Sequence, residues 1–126
     1  MGMIVAVGVG GGLGALLRYF VDSAIQPAWW PGFPFGILIV NITGGLAMGL
    51  ITALAALKFQ MPLEFRSFLT TGVLGGYTTF STFSLQSVLL IERGALGQAA
   101  AYVVGSTALS ILAIFVGFWA VRAVYA

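Results

Sequence analysis

The sequence contains no cysteine and no histidine among its 126 residues. The absence of cysteine excludes disulfides and thiolate chemistry, and the absence of histidine removes the commonest general base and metal ligand. Only three residues are acidic, and Asp22, Glu64 and Glu92 all lie near the ends of apolar segments. We therefore do not expect an enzyme, because acid–base catalysis has no obvious groups to use.

Charged residues of either sign are scarce, at 6% of the chain, whereas 60% of the residues are hydrophobic and the mean hydropathy is +1.10. A soluble domain carries roughly a quarter of its residues as charged groups. Such a chain cannot cover a water-facing surface, so the lipid bilayer is its expected solvent. Its five basic residues form no cluster and are too few for a nucleic-acid interface. We therefore predict an integral membrane protein.

Four apolar segments are long enough for a transmembrane helix, which needs about 20 mostly apolar residues. The connections between them are short and no second domain is visible, so residues 1–126 are predicted to form a single all-α transmembrane domain. The segments run from about Met3 to Val21, from about Phe33 to Leu57, from about Pro62 to Leu90 and from about Leu96 to Val124.

The charges at the ends of these segments give little preference for one orientation in the membrane. With four spans, one side carries Lys58, Arg66 and Arg122, and the other carries Arg18 and Arg93. Three basic residues against two is a weak positive-inside bias. A chain of this kind could insert both ways and pair antiparallel with a second copy. The alternative is that a small bias suffices or that a partner orients the chain.

The glycine-rich start of the first segment, GVGGGLGALLRY, predicts close helix packing. Small residues four positions apart let helix backbones approach each other closely in lipid. A dinucleotide-binding loop is the weaker interpretation, because no repeating strand–helix unit surrounds the glycines. The pairs of small residues are Gly8 with Gly12, Gly10 with Gly14 and Gly11 with Ala15, and Gly44, Gly45 and Gly49 are interpreted in the same way.

Several polar side chains lie within the apolar segments. Asn41, in the second segment, either bonds to another helix or lines a pore. In the fourth segment Tyr102, Ser106 and Ser110 recur every four residues and therefore share one helix face. Such a row indicates a polar track. Arg18, near the end of the first segment, either reaches the interface or lines an aqueous vestibule that attracts anions.

The third segment contains GGYTTFSTFS, in which a glycine pair precedes five serine or threonine residues and two phenylalanines. The adjacent Gly75 and Gly76 predict a helix break near the middle of the segment. Irregular backbone at membrane depth persists only where it is buried in protein or lines a cavity. A break also frees carbonyl oxygens, which are good ligands for a hard cation such as Na⁺. Phe80 and Phe83 are spaced to share one face beyond the break.

Neutral donors and phenyl ring edges, with no carboxylate inside a span, favour an anion as the species that this surface contacts. Proton-coupled transport usually needs an acid within the membrane. Two alternatives stay open at this point. One is a small dual-topology, proton-coupled exporter of organic cations, and the other is a structural membrane subunit whose glycine and hydroxyl rows are only helix packing.

The stretch GGYTTFSTFS resembles the GGxTTFSTF signature of the Fluc/CrcB fluoride channels, and GGLGALLRY, VNITGG and ERG support the resemblance, which covers essentially the whole chain. The resemblance implies a fluoride-selective passive channel that exports cytoplasmic fluoride across the inner (plasma) membrane. It also implies an antiparallel, dual-topology homodimer with two fluoride pathways. A structural Na⁺ would lie at the two-fold axis, and no organic cofactor is expected.

The resemblance also implies roles for individual residues. Backbone carbonyls of Gly75 and Thr78 would hold Na⁺, and Arg18 would lie at the aqueous vestibule. Gln86 stands where some relatives have an acidic residue, so gating or conductance is expected to differ if that position sets the vestibule charge. The pore would be lined by Asn41, Phe80, Ser81, Thr82, Phe83, Ser84, Tyr102, Ser106 and Ser110.

Overall fold

The structure is a computed structural model that describes residues 1–125, in which every regular element is helical. Helices α1 (Gly2–Ala24) and α2 (Phe35–Leu57) and the last helix (Leu96–Tyr125) are each long and apolar enough to cross a membrane. The predicted all-α membrane fold is therefore confirmed. The third apolar segment is not one helix but consists of α3 (Leu63–Ser67), a π-helical segment (Phe68–Leu74), α4 (Gly75–Tyr77) and α5 (Phe80–Glu92), and the last helix is thus α6.

Hydrogen bonds join the connection between α1 and α2 to the connection between α5 and α6. Helix α5 ends just before Gly94, which adopts the left-handed backbone conformation (φ 78°) that is common directly after a helix C-terminus. The guanidinium of Arg93 donates to the carbonyl of Gly32 at 2.7 Å, and the amide of Gln98 donates to the carbonyl of Pro31 at 3.0 Å. These bonds fix the ends of four helices relative to one another.

Helices α2 and α6 pack with their backbones in contact. A Cβ at Gly117 would lie 2.8 Å from the backbone nitrogen of Leu50, and a Cβ at Gly49 would collide with the carbonyl of Ile114. A Cβ at Gly45 would likewise lie only 2.7 Å from the carbonyl oxygen of Ser110. The predicted packing role of the glycines in the second span is confirmed for this helix pair.

Helix α1 packs against the interrupted third segment through a second set of glycines. Gly10 and Gly14 are buried there, and a Cβ at Gly14 would collide with the carbonyl of Val73. A Cβ at Gly76 would likewise collide with the carbonyl of Gly11. Among residues 1–125, no atom of another part of the fold lies within 4 Å of a Cβ at Gly8 or Gly12. Only part of the predicted glycine rows is therefore used within one chain.

We expect Gly14→Ala to destabilise the fold by about 1–3 kcal/mol, because the added methyl group forces α1 away from backbone atoms that cannot yield. The matched change Gly12→Ala adds the same methyl group where no atom lies within 4 Å. Since alanine is the better helix former, Gly12→Ala should be neutral or stabilising. Thermal unfolding of both variants in detergent measures the difference. Equal effects on the two melting temperatures would contradict the packing shown here.

Candidate functional site

The third segment is interrupted between α4 and α5. Thr78 (φ −80°, ψ 157°) and Thr79 (φ −150°, ψ 125°) are extended, and the chain resumes a helix at Phe80. Gly75 and Gly76, where the sequence places the break, are themselves helical. The backbone therefore departs from the helix just beyond the glycine pair rather than at it.

The side chain of Asn41 replaces backbone hydrogen bonds at the interruption. Its Oδ1 accepts from the Thr79 N–H at 2.9 Å, and its Nδ2 donates to the Thr79 carbonyl at 3.1 Å. In a continuous helix the Thr79 N–H would donate to the carbonyl of Gly75. One amide thus satisfies both backbone groups of an extended residue, and the Gly75 carbonyl is left without its helical donor.

Thr79 also caps α5, a role that the sequence reasoning missed. Its Oγ1 accepts from the Thr82 N–H at 3.2 Å, whereas in a continuous helix that N–H would donate to the carbonyl of Thr78. The carbonyls of Gly75 and Thr78 have therefore both lost their usual donors. The signal available in the sequence was a hydroxyl residue directly before a helix, which is typical of an N-cap.

A cavity of about 380 Å³ lies beside the interruption, between α2, α5 and α6. Five of the residues predicted to line a pore surround it, and so do Thr78, Thr79 and Met48. The cavity therefore brings together residues from three separate segments of the chain. The five predicted residues are Asn41, Phe80, Phe83, Ser106 and Ser110.

Three hydroxyls on one face of α6 are buried without a hydrogen-bond partner among the described residues, namely those of Tyr102, Ser106 and Ser110. Ser106 is only 4% exposed. A buried hydroxyl without a partner costs about 1–3 kcal/mol, and native proteins retain few of them. The buried Ser87, by contrast, donates to the carbonyl of Phe83 at 2.8 Å. The α6 row thus presents polar groups that the chain itself leaves unused.

Aromatic rings continue the surface formed by these hydroxyls. The rings of Phe80 and Phe83 have their centroids 5.6 Å apart, and Phe83 lies 5.3 Å from the ring of Tyr102. Phe83 is partly buried against the core, whereas Phe80 is 79% exposed. Both rings therefore line the cavity, but Phe83 packs against the core whereas Phe80 stands largely uncovered on the outside of the chain.

The remaining predicted site residues lie elsewhere. Four residues that were predicted to line a pore are absent from the cavity wall, namely Ser81, Thr82, Ser84 and Tyr102. The hydroxyl of Ser84 donates to the Phe80 carbonyl at 2.9 Å. Their role in a pore stays a prediction. Arg18 also does not line the cavity. It lies between α1 and the third segment, where its Nε donates to the carbonyl of Gly76 at 3.2 Å.

The fold and the site define a multi-pass membrane protein with a cavity at a helix interruption, lined by apolar side chains together with several hydroxyl groups and one amide. The family model described as "CrcB-like protein, Camphor Resistance (CrcB)" matches residues 5–118, so the chain belongs to the CrcB family. Its relatives are named as ion channels rather than as enzymes. The expectation that the protein is not an enzyme and the resemblance inferred from the sequence are both confirmed.

Individual relatives match the chain over almost its whole length. The "Fluoride-specific ion channel FluC" of Nitrobacter winogradskyi is 46% identical over 121 residues, which is 96% of each chain. The protein of the same name from Rhodospirillum centenum is 48% identical over 122 residues, or 97% of each chain. That of Rhizobium meliloti is 46% identical over 123 residues, or 98% of each chain.

We expect Asn41→Leu to destabilise the interruption, because the Thr79 N–H and carbonyl would lose their partners in a region where water is scarce. Hydrogen exchange measured by NMR in detergent should show faster exchange at the Thr79 amide. The Thr82 amide, whose partner is the Thr79 hydroxyl, serves as the internal control and should change much less. Unchanged exchange at Thr79 would show that the amide of Asn41 does not hold the interruption.

Proposed function

We propose that the protein is a fluoride-selective, passive ion channel that lets cytoplasmic fluoride leave across the inner membrane. The observation that carries this proposal is the row of buried, unpartnered hydroxyls on α6 beside two phenyl rings. The relatives named as fluoride-specific ion channels support the choice of ion.

The chemistry of the cavity suits a small, strongly hydrated anion. Fluoride must exchange its water for hydrogen-bond donors, and hydroxyls that have no partner in the described part of the chain can donate without breaking an existing bond. The electropositive edges of phenyl rings add further stabilisation. Chloride is larger and fits closely spaced donors poorly. Because none of the residues that line the cavity carries a positive charge, fluoride is not held there by a fixed cation and can also leave.

Passive movement is sufficient for export. Fluoride enters acidified cells as neutral HF and ionises inside, and the bare anion crosses lipid poorly. A selective path then lets it follow its electrochemical gradient outward. A proton-coupled exporter is less well supported, because the carboxylates of Asp22, Glu64 and Glu92 lie near the ends of the membrane segments rather than in the cavity. A purely structural subunit gives no reason for three unpartnered hydroxyls.

We further propose an antiparallel homodimer with two fluoride pathways. Phe80 is 79% exposed directly beside the cavity, so a second copy is well placed to cover the ring and close the pathway on that side. The weak charge bias between the two membrane sides suits insertion in both orientations. Each pathway would then be built from residues of both copies.

The carbonyls of Gly75 and Thr78 are suited to a structural Na⁺. Both have lost their helical donors to side chains, and a Cβ at Gly75 would meet only the carbonyl of Thr70, at 3.6 Å. Two carbonyls are too few for a hard cation. Across a two-fold axis the two copies would supply four, and a bound Na⁺ would there offset the repulsion between the carbonyl dipoles.

Fluoride efflux from liposomes that contain only the purified protein tests the function. We expect valinomycin-dependent release of fluoride without release of chloride, both followed with ion-selective electrodes. Phe80→Ile and Phe83→Ile should each lower fluoride release about tenfold or more, which corresponds to the loss of about 1.4 kcal/mol of interaction with the ion. The variants should elute at the same size as the wild type. No release from intact wild-type protein would refute the channel, and full release from both variants would remove the rings from its mechanism.

Two buried serines separate a functional role of the hydroxyls from a structural one. We expect Ser106→Ala to lower fluoride release while leaving thermal stability unchanged or higher, because the hydroxyl makes no hydrogen bond with any of residues 1–125. Ser87→Ala should leave fluoride release unchanged, because Ser87 does not line the cavity. It should lower the melting temperature instead, because the Ser87 hydroxyl donates to the Phe83 carbonyl. Efflux and melting temperature are measured on the same preparations. A loss of stability in Ser106→Ala with normal efflux would show that the hydroxyl row serves only packing.

A further inference from the structure

A second cavity, of about 540 Å³, lies between the C-terminal half of α2 and the start of the third segment. Met48 lines both this cavity and the first one, which Ser106 and Ser110 also line. The second cavity is also lined by Thr52 on α2 and by Arg66 and Thr71 on the third segment. The two cavities are therefore neighbours that share the side chain of Met48.

The two cavities follow one another along α2, one of the helices that can cross a membrane. Helix α2 rises about 1.5 Å per residue, so the chain advances roughly 10 Å from Asn41 in the first cavity to Met48, and then continues past Thr52 toward its end. The third segment begins on that same side, with Arg66 close to its start. The second cavity thus lies between the hydroxyl row and one surface of the membrane.

Arg66 differs from the other charged residues on that side of the fold. Lys58 and Arg122 rest against aromatic rings of α6, at 5.2 and 5.0 Å from the ring centroids. The carboxylate of Glu64 packs against Gly2 at the start of α1. Arg66 alone among these residues lines the cavity. Its charge therefore acts on whatever enters that space.

We propose that Arg66 and the hydroxyls of Thr52 and Thr71 form an anion-collecting mouth of the pathway, and that Met48 is the constriction between this mouth and the hydroxyl row. This inference rests on the proposed function. A guanidinium at the mouth of a low-dielectric cleft raises the local anion concentration. A methionine is apolar and flexible, so it can narrow the passage without binding the ion. The hydroxyl of Thr70 is not part of the mouth, because it donates to the Arg66 carbonyl at 2.9 Å and instead fixes the backbone there.

Neutralising Arg66 tests the mouth. Arg66→Gln should lower initial fluoride flux in liposomes about threefold or more at low ionic strength, and the difference should shrink when an impermeant salt screens the charge. Arg122→Gln removes the same charge on the same side but lies outside both cavities, so it should match the wild type. Equal fluoride flux through the two variants would overturn the proposal that Arg66 forms the mouth. Absence of flux in the wild type would instead refute the proposed function.

A single introduced cysteine tests the constriction, because the natural chain contains none. In Met48→Cys a water-soluble methanethiosulfonate reagent should label the protein, as measured by intact mass, and should reduce fluoride flux about tenfold or more until dithiothreitol removes it. Val104→Cys is the control. Its fluoride flux should stay normal after the same treatment, since Val104 is 65% exposed and lines neither cavity. Normal flux through fully labelled Met48→Cys, or no labelling at all, would overturn the assignment of Met48.

Discussion

The bond pair between the amide of Asn41 and the backbone of Thr79 is the interaction on which the site depends. In lipid, the backbone groups of an interrupted helix cannot turn to water, so an extended residue at that depth needs partners from another part of the protein. Asn41 provides both a donor and an acceptor from α2. Because the amide engages both groups of one residue, it fixes the third segment against α2 and thereby places Phe80 beside Ser106.

The glycine contacts explain why the α6 hydroxyls stay unpartnered. Gly45 and Gly49 bring α2 against the backbone of α6, and Gly10 and Gly14 do the same for α1 and the π-helical segment. A frame held by backbone contact has little freedom to adjust, because each helix would have to move as a rigid body. The cavity therefore cannot collapse to let Ser106 find a partner. The free-energy cost of burying that hydroxyl without a partner is consistent with a bound anion that acts as its hydrogen-bond acceptor.

The sequence was a good guide to features that depend on local pattern and a poor one to features that depend on partners far along the chain. Apolar length predicted the three long helices that can cross a membrane, although the third predicted span proved to be interrupted. Four-residue spacing predicted the shared face of Tyr102, Ser106 and Ser110. The position of the interruption was misjudged, because glycine marks where a helix can break, whereas the actual departure occurs where the Thr79 N–H finds Asn41, 38 positions away in the sequence. The capping role of Thr79 was missed for the same reason.

The exposed ring and the released carbonyls at the interruption suit the same arrangement of two chains in a dimer. The exposed ring of Phe80 and the released carbonyls of Gly75 and Thr78 belong to the same interruption, so one two-fold contact there would cover all of them. If the two copies are antiparallel, as we propose, the Arg66 mouth of one opens on one membrane surface and that of the other on the opposite surface. Each surface then has a basic mouth although neither orientation of the chain alone provides two. A passive path has no preferred direction, so such a pair needs no further device to carry fluoride outward whenever its gradient points that way.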